Sequence, residues 1–351
     1  MKIQKIGKPE IIMQNPNGSH NYFAWPSVAR LKDGRIAAAA SGYRLAHICP
    51  FGKAVIAYSE DEGESYSEPK AVIDTVLDDR DAGLCPFGES GLILTSFNNT
   101  VAFQKKSGIK CEESKAYLES VSDEDERKAL GSEYVISFDN GNTWSEIYHS
   151  PVTSPHGPIE LKDGRILWCG RVFSSNDGFY EDDRPFIRVY EMDLKGNMTE
   201  IGHIDDAPDS NFCEPYMLET KTGKLICHIR NEADFSTRQS ESFDGGKTWT
   251  KAHPVLKNRG GAPAHILQHS SGVLISAYGY RDMPYGVRIM LSDDDGESWQ
   301  TDKILYEQDV TPDLGYPMTA ELKDKSLITV FYAHPEKGAP AVIMQQKWKL
   351  V

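Results

Sequence analysis

Residues 137–144 read Ser-Phe-Asp-Asn-Gly-Asn-Thr-Trp, and the pattern Ser-x-Asp-x-Gly-x-x-aromatic returns at 59–66, 242–249 and 292–299. Four copies of a pattern with four fixed points indicate a repeated structural unit. In a turn of this kind the Asp caps backbone N–H groups, the Gly supplies a positive φ, and the ring packs back over the connection. We therefore assign these residues to the fold rather than to chemistry.

A second repeat is a hairpin in which two apolar strands flank a polar turn. Leu31–Ile36 and Leu161–Ile166 both read Leu-Lys-Asp-Gly-Arg-Ile, and looser copies surround positions 91, 223, 272 and 325. The six turns, at 34, 91, 164, 223, 272 and 325, lie 49 to 73 residues apart. Once insertions are allowed for, this spacing is close to the length of a four-stranded propeller blade, which is about 40–50 residues. The sequence therefore predicts an all-β fold, a six-bladed β-propeller.

Residues 1–351 are expected to form this single propeller domain. We predict that Lys2–Met13 and Ala341–Trp348 meet in one blade, because closing the ring leaves no exposed sheet edge. The largest gap between turns holds a charged stretch with many Glu, Ala and Leu residues, which predicts a helical insertion at about 105–133 in the second blade. The insertion is interpreted as a solvated decoration, with a lid or a subunit contact as alternatives.

The composition restricts the classes of partner. The chain has 351 residues, 39% of them hydrophobic, and a formal net charge of −14. An acidic surface repels nucleic-acid phosphates and anionic lipid headgroups, and no basic run offsets it. The sequence also shows neither a signal peptide nor the roughly 18 uninterrupted apolar residues of a membrane span. We expect no nucleic-acid partner, no membrane partner and a cytoplasmic location, and the sequence leaves open whether the chain forms a homo-oligomer.

The cysteines and histidines do not follow the spacings of metal sites. The six cysteines are widely separated and include no Cys-x-x-Cys motif. The histidines show no His-x-x-x-His spacing, so they would form a metal site only if the fold brought distant strands together. The sequence therefore predicts neither a metal ion nor any other cofactor.

The hairpins also predict where ligand-binding side chains converge. In each blade the two strand ends remote from the turn lie on one face, so residues seven to ten before and after each turn should surround a central funnel. Almost all of these positions carry ionisable or hydrogen-bonding side chains: Trp25, Asp81, His156, Glu214, His265 and Tyr316 before the turns, and Arg44, Asn98, Arg171, Arg230, Arg281 and His334 after them. Buried charges are costly unless they are paired or meet a ligand. The sequence predicts a polar, arginine-rich pocket for a small anionic ligand.

Each of these residues also has a structural interpretation. An arginine could form a salt bridge between blades, Glu214 could merely orient Arg230, and Tyr316 could simply close the last blade. Ordinary interior packing is an alternative for the histidines at positions His47, His156 and His265.

The repeats and two further stretches resemble those of the sialidase (neuraminidase) superfamily of six-bladed propellers, over nearly the whole chain. Asn211–Tyr216, followed by Arg230 sixteen residues after its glutamate, is similar to the segment that supplies a catalytic glutamate and one arginine of a carboxylate-binding triad. Asp313–Tyr316 resembles the segment with the nucleophilic tyrosine. Arg281 is similar in position to another triad arginine, with Arg288 as a rival.

The chain departs from the family pattern around its first blade. The family begins this blade with Phe/Tyr-Arg-Ile-Pro, whereas residues 23–26 read Phe-Ala-Trp-Pro, so the first triad arginine is missing. The loop Gly42–His47 holds Arg44, which resembles a sialidase-site arginine, but lacks the usual acid/base aspartate. His47, Asp81 or His156 is left as the candidate for that role.

The resemblance implies a glycoside hydrolase that removes a terminal, acidic sugar from a small glycan, with Tyr316 as nucleophile and Glu214 as its base. His47 or Asp81 would protonate the leaving group. The substrate-binding candidates are Arg230, Arg281, Arg44, Arg171, His156, Trp25 and His265. The missing arginine argues against sialidase activity in the strict sense. The alternatives are a polysaccharide lyase-type eliminase that acts on uronate sugars and a non-catalytic carbohydrate-binding propeller.

Overall fold

Six antiparallel sheets account for nearly all the regular structure of the chain. The computed structural model describes residues 1–109, 111–173, 186–208, 210–257 and 262–351. Each sheet is one blade, and the six blades form a β-propeller, as the repeats predict. Within the insertion expected at about 105–133, Lys110 lies outside the described residues.

The first half of the chain forms blades 1 to 3, preceded by strand β1 (Ile3–Met13). Blade 1 contains β2 (Tyr22–Arg30), β3 (Ile36–Arg44), β4 (Lys53–Ser59) and β5 (Lys70–Ile73). Blade 2 contains β6 (Arg80–Phe87), β7 (Gly91–Phe97), β8 (Ser132–Ser137) and β9 (Tyr148–Ser150). Blade 3 has its first strand in two pieces, β10 (Val152–Thr153) and β11 (Ile159–Glu160), followed by β12 (Ile166–Val172), β13 (Ile187–Met192) and β14 (Met198–Ile204).

The second half forms blades 4 to 6 and closes the ring. Blade 4 contains β15 (Phe212–Glu219), β16 (Leu225–Asn231), β17 (Ser236–Ser242) and β18 (His253–Leu256). Blade 5 contains β19 (Ala264–Gln268), β20 (Leu274–Tyr280), β21 (Tyr285–Ser292) and β22 (Gln300–Gln308). Blade 6 contains β23 (Gly315–Glu321), β24 (Leu327–Ala333) and β25 (Val342–Leu350), and β1 is its fourth strand. Since β1 pairs with β25 from Ile3 opposite Leu350 to Met13 opposite Ile343, the predicted meeting of the terminal segments is confirmed.

The burial of a strand depends on its place in the blade. Nearly every residue of β2, β3 and β8 is buried, because the strands inside the outermost one are packed between neighbouring blades. Four successive alanines, Ala37–Ala40, fit β3 into this space. The outer strands β1 and β22 are exposed or half-buried along nearly their whole length. The core is therefore a ring of contacts between blades, and the centre of the ring is free to form a site.

The repeated Ser-x-Asp-x-Gly pattern has the structural role predicted for it. Each copy begins at the last residue of a third strand, namely β4, β8, β17 or β21. In blade 2, Asp139 Oδ1 accepts hydrogen bonds from the Thr143 N–H and the Ser137 hydroxyl, both at 2.8 Å, and Gly141 has a φ of +83°. These contacts hold the turn that leads to the outermost strand.

The described residues of the insertion in blade 2 form three short helices between β7 and β8: α1 (Val101–Lys106), α2 (Glu112–Ser120) and α3 (Asp123–Ala129). Leu118 is 1% exposed and belongs to a small core with Leu77 and Val101. Glu126 of α3 accepts a hydrogen bond from the Val101 N–H at 2.8 Å. The insertion is therefore docked on the propeller through Leu118, while α3 has no buried residues and faces solvent.

We expect Leu118→Ala to lower the free energy of unfolding of the region that contains the helices by about 2 kcal/mol or more, because it removes a fully buried side chain. Hydrogen exchange of the amides in α1–α3, together with urea denaturation, measures this loss. Lys115→Ala is the control, since Lys115 lies on the same helix and pairs with Glu112 in solvent. Equal exchange rates in the two variants would contradict the docking of α2.

Candidate active site

Four blades begin with the same local distortion, and it directs one side chain of each toward the centre. Trp25, Asp81, Glu214 and Tyr316 have φ between +47° and +52°, and the strand register shifts beside each of them. Three of the four are followed by a proline, which cannot donate to the ladder and so favours a bulge. A non-glycine residue in this conformation costs about 1–3 kcal/mol and persists only where the surrounding structure holds it, as at ligand sites. The repeated bulge marks the centre of this face as the site.

These side chains line a pocket with a volume of about 380 Å³. Its carboxyl groups belong to Asp81, Glu214, Glu232 and Asp313. Its guanidinium groups belong to Arg80, Arg171, Arg230 and Arg281. One wall is apolar and includes Phe97, Phe103 and Val172. Because Phe103 is on α1, the inserted helices contribute to the wall of the pocket.

Tyr316 and Glu214 are in direct contact in the pocket. The Tyr316 hydroxyl donates to Glu214 Oε1 at 2.5 Å, and Arg230 Nη1 lies 2.5 Å from Glu214 Oε2 and 3.4 Å from the tyrosine oxygen. Burial, followed by the Glu214 charge, raises the pKa of Tyr316 well above its usual value. The tyrosine therefore keeps its proton at neutral pH, and Glu214 is placed to accept it.

Asp81 is a carboxyl group without a hydrogen-bond partner among the described residues. It is 6% exposed and lies in the wall of the pocket. Burial raises the pKa of Asp81 to about 7, and the nearby Glu214 charge adds to this effect, while Arg80 opposes it. Asp81 can therefore both donate and accept a proton near neutral pH.

Asp313 is the centre of a hydrogen-bond network at the edge of the pocket. It accepts from the hydroxyl groups of Tyr22 and Tyr332 at 2.9 and 2.8 Å, and it lies 3.1 Å from His334 Nε2 and 3.2 Å from His47 Nδ1. Burial alone would raise the pKa of Asp313, but these hydrogen bonds hold it far below its usual value. Asp313 is therefore ionised at neutral pH and holds its neighbours in place through these hydrogen bonds.

The arginines of the pocket differ in how far the protein neutralises them. Arg230 contacts two carboxylates, Glu214 at 2.5 Å and Glu232 at 2.9 Å. Arg281 donates from Nε and Nη2 to the Leu314 carbonyl at 3.3 and 3.2 Å, a neutral acceptor. Arg171 donates to the Asn211 side-chain oxygen at 3.2 Å, again a neutral acceptor. The pocket thus holds positive charge that these contacts do not neutralise.

Arg44 does not reach the pocket, contrary to the expectation from its position after the first hairpin. Its guanidinium is completely buried and lies 2.6 Å from Asp78 Oδ1, with further hydrogen bonds to the Ser41 hydroxyl and the His47 carbonyl. These contacts anchor the loop between β3 and β4. Arg44 is a structural residue rather than a substrate-binding one.

His156 and His265 are likewise absent from the pocket, although both were expected there. Their rings pack edge to face in the interior with centroids 5.6 Å apart, and both rings contact Tyr216. Burial lowers the pKa of His156 to about 3 and that of His265 well below its usual value, so both are neutral. His156 lies in the gap between β10 and β11, where Ser154 and Pro155 line the pocket instead.

The structure brings eight of the predicted site residues into the pocket: Tyr316, Glu214, His47, Asp81, Arg230, Arg281, Arg171 and Trp25. Arg288, the rival of Arg281, forms an ion pair with Glu307 outside the pocket. Sequence reasoning missed Arg80 and Glu232. Glu232 lies two residues after Arg230, a spacing that places side chains on the same face of a strand, so this signal was available. Arg80 gave no such signal, because adjacent strand residues normally point to opposite faces.

In the ranges that the structure describes, no group of three or more His, Cys, Asp or Glu side chains is arranged to hold a metal ion. Among the same residues, no helix is long and apolar enough to cross a bilayer.

Comparisons with known proteins agree with the fold. Residues 96–330 match the family model described as a BNR repeat-like domain. No curated protein matches the chain in sequence. A protein of unknown function from Dyadobacter fermentans DSM 18053 is similar in structure, with a TM-score of 0.79, 20% identity and coverage of 99% of each chain.

Two enzymes of known class share the architecture. The NanB sialidase from Streptococcus pneumoniae has a TM-score of 0.69 and 13% identity, over 97% of this chain and 70% of its own. The intramolecular trans-sialidase from Ruminococcus gnavus has a TM-score of 0.65 and 15% identity, over 97% of each chain. At these identities the similarity establishes a shared six-bladed propeller fold.

Proposed function

This chain belongs to the BNR repeat-like domain family, and from that premise we propose that it is a glycoside hydrolase that removes a terminal acidic sugar from a small oligosaccharide or glycoside. The observation that carries the proposal is the 2.5 Å hydrogen bond from the Tyr316 hydroxyl to Glu214. A phenol beside a carboxylate that can take its proton is a way to activate a nucleophile, and binding alone does not require one.

In the first step Tyr316 Oη bonds to the anomeric carbon as Glu214 takes the hydroxyl proton. The bond from that carbon to the leaving oxygen breaks, and Asp81 donates its proton to this oxygen. The product is a covalent glycosyl–tyrosine intermediate. A neutral phenol suits a sugar that carries a carboxylate at or near this carbon, because an anionic nucleophile would be repelled.

In the second step water hydrolyses the intermediate. The Asp81 carboxylate removes a proton from the water, whose oxygen bonds to the anomeric carbon while the bond to Tyr316 Oη breaks. Glu214 returns its proton to the tyrosine. Two successive displacements at one carbon predict retention of the anomeric configuration.

The assignment of the acid to Asp81 rather than His47 rests on their protonation. Burial lowers the pKa of His47, and Arg80 contributes to this effect despite the contact of His47 with Asp313. At pH 7 His47 is therefore mainly the neutral imidazole, which is a poor proton donor. Asp81, with a pKa of about 7, retains an acidic proton in a large fraction of molecules.

The charge of the pocket supports an acidic substrate. Glu214 and Glu232 are both occupied by Arg230, whereas Arg281 and Arg171 contact neutral oxygens. A guanidinium with free donors pairs best with a carboxylate, which it can bind through two hydrogen bonds. The positive charge left over is therefore available to a sugar acid.

We expect Arg281→Gln to raise KM for an acidic aryl glycoside about tenfold or more and to change kcat only a few-fold. A charge-assisted hydrogen bond contributes about 1.5–3 kcal/mol, and the Arg281 contact is made in both the ground and transition states. Steady-state kinetics with one acidic and one neutral glycoside measure the effect. Arg288→Gln is the control, because Arg288 lies outside the pocket. Equal losses for both substrates would mean that Arg281 is structural.

The proposed function is tested by turnover of a panel of aryl glycosides by the wild type and Tyr316→Phe. The panel contains sialic acid, other nonulosonic acids, glucuronic acid, neutral hexoses, rhamnose and arabinose. We expect the wild type to cleave an acidic member and the variant to lose that cleavage. An unsaturated product with ultraviolet absorbance would contradict hydrolysis in favour of elimination. Saturable binding without turnover would identify a binding propeller instead.

A further inference from the structure

The bulge of blade 1 presents an uncharged indole to the pocket. The equivalent bulges of blades 2, 4 and 6 present Asp81, Glu214 and Tyr316, which carry ionisable groups. Trp25 occupies the fourth equivalent position and lines the pocket without a charge. The cations Arg171, Arg230 and Arg281 belong to blades 3 to 5, and no described arginine of blade 1 lines the pocket.

Arg80 supplies that charge by packing on Trp25. Its Cζ lies 3.9 Å from the centre of the Trp25 ring, and Arg80 is part of the pocket wall. An indole is the strongest cation–π partner among the side chains, so Trp25 both holds the guanidinium and orients its plane. The bulge at Asp81 lets two adjacent residues of β6 line the same pocket.

The nearby ion pairs neutralise only part of the Arg80 charge and leave some of its N–H groups without an acceptor. A single buried carboxylate, that of Asp78, lies 2.6 Å from Arg44 Nη1 through one oxygen and 3.3 Å from Arg80 Nη1 through the other. Arg80 Nη1 also donates to the His47 carbonyl at 2.7 Å. Among the described residues, Nε and Nη2 of Arg80 have no hydrogen-bond acceptor. Two guanidinium groups thus share one counterion, and only Arg80 faces the pocket.

We propose that Arg80 is a carboxylate-binding residue of this site, mounted on Trp25, and that it replaces the arginine that blade 1 lacks. The inference rests on the proposed function for the identity of the pocket as the sugar site. Arg80 of blade 2 and Arg281 of blade 5 both bind the substrate carboxylate. Arg80 selects sugar acids over neutral sugars, while Trp25 acts as a positioning residue.

Binding at Arg80 has a consequence for its neighbour Asp81. The charged or titratable groups around Asp81 are Arg80 on its own strand, Arg44 and Asp78 beside it, Glu214 of blade 4 and Tyr316 of blade 6. Burial raises the pKa of Asp81, and the Arg80 charge is the largest influence that lowers it. A carboxylate paired with Arg80 offsets that influence. Acid binding near pH 7 is therefore expected to take up a fraction of a proton, at most about 0.5 per site, onto Asp81.

Calorimetric titration with matched sugar acids and esters tests the proposal. The probes are the methyl glycosides of N-acetylneuraminic acid and glucuronic acid and their methyl esters, in which an uncharged ester replaces the carboxylate. We expect the wild type to bind at least one acid more tightly than its ester. Arg80→Gln should weaken binding of that acid about tenfold or more and leave the ester unchanged, and Arg80→Lys should retain part of the preference.

Repeating the titration in two buffers with different ionisation enthalpies measures the proton uptake. Uptake should occur in the wild type and disappear in both Arg80→Gln and Asp81→Asn, a result that a merely structural arginine would not give. Arg165→Gln is the control for removal of a positive charge, because Arg165 pairs with Asp163 at a hairpin turn remote from the pocket.

The outcomes separate this inference from the proposed function. If no acid is preferred over its ester, or if Arg80→Gln weakens acid and ester equally, the role of Arg80 is overturned even when hydrolysis is observed. If acid preference and proton uptake depend on Arg80 but no glycoside is cleaved, the hydrolase proposal fails and the role of Arg80 stands.

Discussion

Tyr316→Phe is expected to lose at least about a hundredfold in kcat with little change in KM. The variant keeps the aromatic ring, which packs 6.4 Å from the Trp25 ring and 6.0 Å from the Tyr332 ring, so the pocket keeps its shape. It removes only the oxygen that would bond to the anomeric carbon and the proton that Glu214 would accept. An interaction used only in the chemical step affects kcat rather than ground-state binding.

The control for Tyr316→Phe is Tyr278→Phe. Tyr278 is also a buried tyrosine whose hydroxyl donates to a carboxylate, Asp302 at 3.3 Å, but it lies in blade 5 away from the pocket. Its variant should retain wild-type kcat. An unchanged kcat in Tyr316→Phe would remove the tyrosine from the mechanism, whereas matching losses in the two variants would indicate a folding defect.

Asp81→Asn is expected to lower kcat about a hundredfold or more on glycosides with a poor leaving group, since general acid catalysis contributes about 10²–10⁴-fold. The rate of the first step should fall far less for 4-nitrophenyl glycosides, because their leaving group departs without protonation. Azide should restore turnover of these activated substrates, because it attacks the glycosyl–tyrosine intermediate without a general base. Kinetics on the two substrate classes, with and without azide, measure this pattern.

The pH profile provides the second readout for Asp81. Its pKa of about 7 means that the proton needed for leaving-group departure is lost as the pH rises through 7. The wild type should therefore lose activity on poor leaving groups above about pH 7, and Asp81→Asn should lack this limb. Asp79→Asn is the comparison, because Asp79 is buried with a pKa that is also raised to about 7 but binds Thr75 and Asn98 outside the pocket. Persistence of the alkaline limb in Asp81→Asn would assign it to another group.

The architecture follows from local sequence because its signals are local. Each Ser-x-Asp-x-Gly turn satisfies its own hydrogen bonds within eight residues, so the pattern is readable without knowledge of distant contacts. The hairpin spacing then counts the blades, and the need to close the ring predicts the blade that β1 and β25 form. The candidates Tyr316, Glu214, Arg230 and Arg281 could also be found from the sequence, since each lies seven to nine residues from a hairpin turn.

The tertiary structure decided which residues line the pocket. A bulge adds one residue to a strand and turns the next side chain, so counting from a hairpin cannot tell which of two neighbours faces inward. Arg80 and Asp81 both enter the pocket for this reason, while Arg44 is held behind the wall by Asp78. His156 and His265 fill the interior, where burial keeps them neutral. The sequence by itself determined the propeller fold and the kinds of side chain that can reach its centre. The pairing of charges across blades decided which arginines remain free for a ligand, because counterions such as Asp78 are shared between residues that only the folded chain brings together.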